Sequence, residues 1–255
     1  MAQVPQQTFE GGFVRNNAAG NSTLYGASVD GTSGWGLAGG IGYAYDTNWG
    51  LGAPARQGSD LRGGVALGVN SEAGRVMIGG SIRHLAVDTF AGSTVTPLTK
   101  RSLALWTGDL GIDLALQSVR LGVVLRNGLS PDAAEAPRRI AFGIGYLDPH
   151  LLAEADASFG AQNPTAAAGT SAASGQMYRV GAGYLFGDEG LHLRAGYVFD
   201  QSEVGHAVRH FVGGGLGWHG ARLGLDASVQ VNAAQADEWI VGVGLTWVVP
   251  FDAGQ

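Results

Sequence analysis

The sequence predicts one closed antiparallel transmembrane β-barrel that spans residues 1–255. Three observations predict it: apolar residues alternate with small or polar ones over long stretches, only 14% of the residues are charged, and short and long connections alternate along the chain. A soluble domain usually carries about 25% charged residues. No apolar run approaches the roughly 18 residues of a membrane helix, whereas a barrel distributes its apolar residues over alternating strand positions.

The stretch DEWIVGVGLTWVVPF, Asp237 to Phe251, shows the alternation most clearly. Every second residue from Trp239 onward is apolar, and the residues between are mostly Gly and Thr. Such alternation predicts a strand with two different faces. Because the second face is almost free of side chains, we interpret the apolar face as the one that contacts lipid. A Gly-rich soluble sandwich or solenoid is the alternative that the composition leaves open.

The same alternation predicts fourteen strands. They lie near 8–16, 21–29, 34–46, 60–70, 75–88, 101–116, 119–127, 138–147, 150–160, 176–186, 191–200, 208–218, 221–232 and 238–251. The stretch ARLGLDASVQVN, for example, sets Leu223, Leu225 and Val229 against Asp226 and Gln230. The first two strands have the weakest pattern, so the alternative is a barrel of 12 strands in which residues 1–20 form a lumenal or periplasmic segment, such as a plug.

The connections between the predicted strands alternate in length. The short ones are DGTSG, SEAG, LDPH, GDEG and HGA, and the long ones are TNWGLGAPARQGS, TFAGSTVTPLTK, GLSPDAAEAP and AQNPTAAAGTSAASG. Every short turn falls at one rim, and outer-membrane barrels combine short periplasmic turns with longer extracellular loops. This pattern indicates the bacterial outer membrane. The start MAQVPQQ is typical of a mature N-terminus, so we expect a secreted precursor whose signal peptide is absent from this sequence.

The face opposite the apolar one carries most of the charge. The predicted lumen-lining residues are Arg62, Arg83, Asp109, Asp113, Arg120, Arg126, Arg139, Glu154, Asp156, Arg179, His192, Arg194, Arg209, Arg222 and Asp226. They fit either a charged pore wall that selects solutes or a network of cross-strand ion pairs that stiffens the barrel. Because both signs occur on adjacent strands, we expect Asp109 and Asp113 to pair with Arg120 and Arg126. We expect Arg139 to pair with Glu154 and Asp156, leaving a narrow or blocked lumen.

Aromatic residues recur near strand ends on the apolar face. The predicted interface aromatics are Trp35, Tyr45, Tyr146, Tyr184, Tyr197, Trp218, Trp239 and Trp247. Tyr and Trp are favoured where lipid meets water. A single aromatic is also compatible with ordinary strand packing, and it is the repetition that favours an interface. Phe251 ends the last strand as a candidate signal for the outer-membrane insertion machinery. The expected partners are therefore outer-membrane lipid and that machinery, with other envelope proteins as further candidates.

Several classes of function are disfavoured. The chain has no cysteine, so it forms no disulfide and no thiolate metal site, and its net charge of −6 argues against a nucleic-acid partner. No nucleophile, base and orienting group are recognisable together, and no phosphate-binding loop occurs. We therefore expect no enzymatic activity and no catalytic, cofactor-binding or metal-binding residues.

Two stretches share a recurrent series of residues, SLALWTGDLGIDLALQSVRLGVVLRNGLSPDAAEAPRRIAFGIGYLDPHLLAEADAS and YRVGAGYLFGDEGLHLRAGYVFD. The residues of this series are Asp109, Leu110, Gly111, Leu121, Gly122, Arg126, Asn127, Pro137, Arg139, Gly143, Tyr146, Asp156, Gly181, Tyr184, Arg194, Gly196 and Tyr197. With them the chain resembles, over about two thirds of its length, the FadL/PorV class of outer-membrane barrels. The resemblance implies a non-enzymatic barrel for hydrophobic solutes, or a subunit of a secretion or motility apparatus.

Three functions follow from these observations. The first is a barrel with a narrow or plugged polar lumen that passes small or hydrophobic solutes across the outer membrane. The second is a non-conducting subunit that anchors an envelope-spanning secretion or gliding-motility machine. The third, and the one least favoured by the sequence, is a lipid-modifying enzyme.

Overall fold

The computed structural model describes residues 6–17, 21–31, 36–48, 55–93, 96–129, 136–160, 175–187, 190–201 and 208–250. They form an all-β structure with the strands β1 (Gln6–Asn16), β2 (Asn21–Gly31), β3 (Leu37–Asn48), β4 (Ala55–Ser71), β5 (Gly74–Ser93), β6 (Thr96–Leu116), β7 (Val119–Arg126), β8 (Arg139–Leu147), β9 (Leu151–Gly160), β10 (Gln176–Leu185), β11 (Leu191–Gln201), β12 (Arg209–His219), β13 (Leu223–Asn232) and β14 (Gln235–Pro250). No helix in the described part of the chain is long and apolar enough to span a membrane.

The strands form one closed barrel in which each strand pairs with its neighbours in sequence and β1 pairs with β14. The closing ladder runs antiparallel from Gln6 opposite Pro250 to Asn16 opposite Ile240. Closure leaves no sheet edge without hydrogen-bond partners. The predicted barrel of 14 strands is confirmed. The alternative plug is wrong for residues 6–16, because they form a strand of the wall that also pairs with β2.

The outer face of the barrel is apolar, as the alternation predicts. On β14, for instance, Val241, Val243, Leu245 and Trp247 are all exposed. Their cross-strand partners on β13 and β1 are also mostly apolar, as in the row formed by Leu225, Leu245 and Gly11. Such an outward-facing apolar band is what a membrane barrel presents to lipid.

The two rims differ in the connections they carry. One rim, called the short-turn rim below, has the connections 32–36, 72–73, 117–118, 148–150, 186–190 and 220–222. The opposite rim, called the long-loop rim, has the two longest connections, 127–138 and 161–175. Within the short-turn rim, the carboxylate of Asp148 accepts the backbone N–H groups of His150 and Leu151 at 2.8 and 2.7 Å. These two hydrogen bonds lower the pKa of Asp148.

Strand length varies strongly around the barrel. β4, β5 and β6 have 17, 20 and 21 residues, whereas β7 has only 8. The prediction that TFAGSTVTPLTK is a long loop is therefore wrong, because β5 runs to Ser93 and β6 begins at Thr96. The segment TNWGLGAPARQGS likewise contributes residues to β3 and β4. In both segments, pairing with the neighbouring strand extends the backbone despite the glycine and proline content.

Candidate functional site: the barrel lumen

The predicted lumen-lining residues that lie in strands all occupy one face of the sheet. The cross-strand register links them in rows: Arg62 lies opposite Arg83, Asp113 opposite Gly122, and Asp156 opposite Arg179. This face is opposite to the one that carries the exposed apolar side chains. The remaining residue, Arg222, lies in the turn immediately before β13.

This polar face is the concave inner surface of the barrel. Arg194 on β11 and Asp226 on β13 are separated by β12, yet their side chains meet at 2.9 Å. Side chains on strands two positions apart converge only on the concave side of a curved sheet. The polar face therefore surrounds the lumen, and its charged residues are the candidate functional site.

One group of charges, the Asp60 cluster, consists of Asp60, Arg62 and Arg83. Arg62 Nη2 and Arg83 Nη2 lie 2.7 and 2.8 Å from Asp60 Oδ2. Arg83 Nε also donates to Asp60 Oδ1 at 2.9 Å. Because Arg62 and Arg83 are direct cross-strand neighbours, the carboxylate offsets the repulsion between two guanidinium groups.

A second group, the Asp226 cluster, consists of Asp226, His192, Arg194 and His219. Asp226 Oδ1 lies 3.0 Å from His192 Nε2 and 2.9 Å from Arg194 Nη2, and Asp226 Oδ2 lies 3.3 Å from His219 Nε2. The residues come from β11, β12 and β13, near the short-turn rim. One carboxylate thus receives three basic side chains, two of which can lose their charge.

The ion pairs predicted for Asp109 and Asp113 are found in part. Asp113 pairs with Arg120 at 3.6 Å, as predicted. Asp109 differs, because its carboxylate accepts the backbone N–H of Asn127 at 2.7 Å. In this way Asp109 holds the start of the β7–β8 connection.

The pairing predicted for Arg139 with Glu154 and Asp156 is not found among the described residues. The register explains the difference, because Arg139 lies opposite Gly160 and Asp156 lies opposite Gly143. Four residues of strand separate Gly160 from Asp156, which is about 13 Å along the chain. The opposite charges of β8 and β9 therefore lie at different levels of the barrel.

An apolar cluster lies on the inner face toward the long-loop rim. Leu85, Val87 and Leu105 are buried there, and Ala136 of the β7–β8 connection packs against them. The described part of this connection therefore folds onto the inner face at this rim. Below the cluster, the buried hydroxyl of Thr107 has no hydrogen-bond partner among the described residues.

Two cavities border the polar inner face of the barrel. One of about 260 Å³ lies above glycine-rich parts of β10 to β13 and is bordered by Glu154, Arg179 and Arg194. Another of about 500 Å³ lies at the short-turn rim, between the Asp226 cluster and the 148–150 turn, and is also bordered by Glu10. The described side chains thus leave space at these two places on the inner face.

The aromatic residues predicted at the membrane interfaces lie on the outer face wherever the structure describes them. They are Tyr45, Tyr146, Tyr184, Tyr197, Trp218, Trp239 and Trp247. Tyr146, Tyr184, Trp218 and Trp247 are close to the short-turn rim, and Trp247 packs on Phe9 with ring centroids 5.8 Å apart. Trp35 and Phe251 fall outside the described residues.

The Asp226 cluster was missed by sequence reasoning. His192, His219 and Asp226 are far apart in sequence and belong to no spacing motif, since the register between three strands alone brings them together. The available signal was positional: all three are polar residues near a short turn, and the register sets His192 and Asp226 on either side of Gly217.

The fold has clear counterparts among solved structures. The structure of the CymD monoaromatic hydrocarbon channel matches with a TM-score of 0.66 and 13% identity, covering 98% of this chain and 89% of that one. A Pseudomonas aeruginosa FadL homologue matches with a TM-score of 0.63 and 13% identity over 96% and 90%. The chain has the fold of FadL-type barrels. The predicted resemblance is confirmed at the level of the fold.

A third similar structure is the Acinetobacter baumannii outer membrane protein Omp33, with a TM-score of 0.56 and 12% identity, covering 98% of this chain and 100% of that one. No family model and no curated protein matches the sequence. The function therefore has to be argued from the lumen.

Proposed function

We propose that this protein is a channel of the bacterial outer membrane that passes small uncharged or hydrophobic solutes and has no enzymatic activity. Location in the outer membrane is supported by the apolar outer face and by the aromatic side chains near the short-turn rim. It is also supported by the different lengths of the connections at the two rims. The fold that the chain shares with outer-membrane barrels supports the same location.

The observation that carries the proposal is that several of the lumen charges are paired and yet accessible. The side chains of Arg62 and Arg194 form ion pairs but remain 52% and 44% exposed. Barrels of about eight strands have an interior that side chains fill, and wider barrels leave space. The paired charges of this lumen therefore border a passage that solvent can enter.

The pairing also bears on which solutes would pass. Charge-selective pores present rings of one sign. Here, each of Asp60, Asp113 and Asp226 is bound by at least one basic side chain, so charges of both signs are mixed in these parts of the wall. Weak ion selectivity and a preference for uncharged solutes are the expected result. A preference for hydrophobic solutes is supported by the structurally similar CymD, which is described as a monoaromatic hydrocarbon channel.

Two glycines allow a matched test of this proposal. Gly143 lies on the inner face and Gly63 on the outer face, and a Cβ added at either position would meet no atom within 4 Å. We expect Gly143→Trp to obstruct the lumen and to slow solute entry several-fold. Gly63→Trp adds the same side chain on the lipid side and should leave entry unchanged.

The measurement is swelling of proteoliposomes in small uncharged solutes of graded size, together with conductance in planar bilayers. We expect the wild-type protein to admit the smallest solutes faster than empty liposomes do, with weak preference between cations and anions. Entry no faster than in empty liposomes would favour the non-conducting scaffold instead. Equal slowing by both tryptophan variants would show that the passage does not follow the lumen.

A further inference from the structure

The Asp226 cluster contains three side chains of the types that bind transition metals. The ligand atoms of His192, His219 and Asp226 all lie within 4.8 Å of one another. Two imidazoles and one carboxylate form a common donor set for zinc and for divalent iron. The described residues thus bring three ligands to one point at the short-turn end of the lumen.

The spacing of these atoms suits a single ion. Donors bound at about 2.1 Å with angles between 90° and 109° lie about 3.0–3.4 Å apart. Asp226 Oδ1 is 3.0 Å from His192 Nε2, and Asp226 Oδ2 is 3.3 Å from His219 Nε2. All three ligand atoms lie within 4.8 Å of one another, so side-chain rotations would have to bring any wider pair to about 3.4 Å for one ion to bind all three.

Two glycines, Gly217 and Gly224, have no side chain where the two imidazoles lie. A Cβ at Gly217, between His192 and Asp226, would lie 2.6 Å from His192 Nε2 and 2.5 Å from Asp226 Oδ1. A Cβ at Gly224 would lie 3.1 Å from His219 Nδ1. The backbone beneath the cluster is therefore shaped for the convergence of these side chains, since any larger residue at Gly217 would separate them.

We propose that His192, His219 and Asp226 bind one divalent transition-metal ion, with zinc as the reference ion. Arg194 competes with the ion for Asp226 Oδ1, to which it donates at 2.9 Å. Arg194 also borders the cavity lined by Glu154, which gives its side chain room to turn away from Asp226. The ion would keep open coordination positions toward the lumen, where the cavity bordered by Glu10 begins.

The test is direct binding to the folded, tag-free protein in detergent micelles. Co²⁺ serves as a spectroscopic probe and Zn²⁺ as its competitor. We expect about one equivalent of Co²⁺ with visible absorption bands and displacement by Zn²⁺. The double variant His192→Gln/His219→Gln should weaken binding by more than the roughly 10–100-fold that even outer-shell partners of a metal contribute.

Control variants separate this site from nonspecific binding. His84→Gln/His210→Gln removes two histidines from the outer face, where His84 packs on Trp106 and His210 contacts Tyr197, and should bind Co²⁺ as the wild type does. Asp226→Asn keeps the shape of the side chain but is a weaker ligand, so it should reduce affinity without preventing folding. Arg194→Gln should raise affinity several-fold, because the competing cation is gone.

The proposal is overturned if the wild-type protein does not bind Co²⁺ at millimolar concentration. It is also overturned if the His192/His219 double variant binds as tightly as the wild type while heat-modifiable migration in gels shows that it is folded. Neither result depends on whether the barrel conducts. Failure of the metal site and failure of the channel proposal are thus separate outcomes.

Discussion

The Asp60 and Asp226 clusters use the same element, an inward carboxylate that receives several basic side chains, in two different ways. Asp60 lies between two arginines, whose charge is permanent. Asp226 receives one arginine and two histidines, and imidazole can give up its proton. Both partners of Asp60 always carry a charge, so they need its carboxylate as a counterion. Two partners of Asp226 are imidazoles, which can lose their proton and bind a metal ion, and this leaves only Arg194 as a permanent cation. Permanent cations favour a structural role, and titratable ones allow a functional role.

The largest effect is expected from Asp60→Asn. This change leaves Arg83, whose side chain is only 17% exposed, without its counterion and beside a second arginine. We expect a loss of about 2 kcal/mol in the free energy of unfolding, within the range for hydrogen bonds to charged groups. Urea unfolding in micelles or bilayers measures it. Asp113→Asn is the control, because its 3.6 Å pair with the half-exposed Arg120 should contribute less than about 1 kcal/mol. Equal losses would contradict the structural role given to the Asp60 cluster.

An intermediate effect is expected from Gly217→Ala. The added Cβ would press on His192 and Asp226, and overpacking of this kind costs about 1–2 kcal/mol when side chains have to move. Gly42→Ala is the matched control at the Asp60 cluster, because its Cβ would meet Ala27 Cβ at an ordinary 3.6 Å. Thermal or urea unfolding compares the two variants. If Gly42→Ala proved the more destabilising, the glycine of the Asp226 cluster would not be needed for space.

The smallest effect is expected from Asp226→Asn in the presence of a chelator. Arg194 is 44% exposed and can turn toward water when Asp226 is lost, whereas Arg83 is only 17% exposed. We therefore expect a loss of about 1 kcal/mol, clearly below that of Asp60→Asn. The same urea unfolding experiment measures it at pH 7.5. A loss as large as that of Asp60→Asn would show that the two clusters are equivalent and that the comparison drawn above is wrong.

The strands could be predicted because a membrane barrel repeats one pattern. The alternation from Trp239 to Val249 shows which side chains of β14 face outward. The same two-residue period predicts correctly which charged side chains of β7 to β13 face inward. The β5–β6 hairpin was misread because Gly, Ser and Pro in TFAGSTVTPLTK suggested a loop, although pairing within the hairpin extends both strands to Ser93 and Thr96.

Side-chain partners were harder to predict, because they depend on the register between strands. A difference of four residues separates Arg139 from Asp156, and one of six residues separates it from Glu154. The same kind of offset brings His192, Asp226 and His219 together from three strands. Nothing within a single strand reveals such offsets. The sequence therefore predicts which face a residue occupies, but not which residue it touches.

The ladder between β1 and β14 has a consequence for how the molecule assembles. It joins Phe9 to Trp247, so almost the whole chain has to be present before this pairing can form. The entropic cost of closing a loop grows with its length, and contacts distant in sequence make folding slow. We expect this seam to form last. Until it does, both terminal strands present free edges, which makes the unfinished barrel the stage most open to mispairing with another chain.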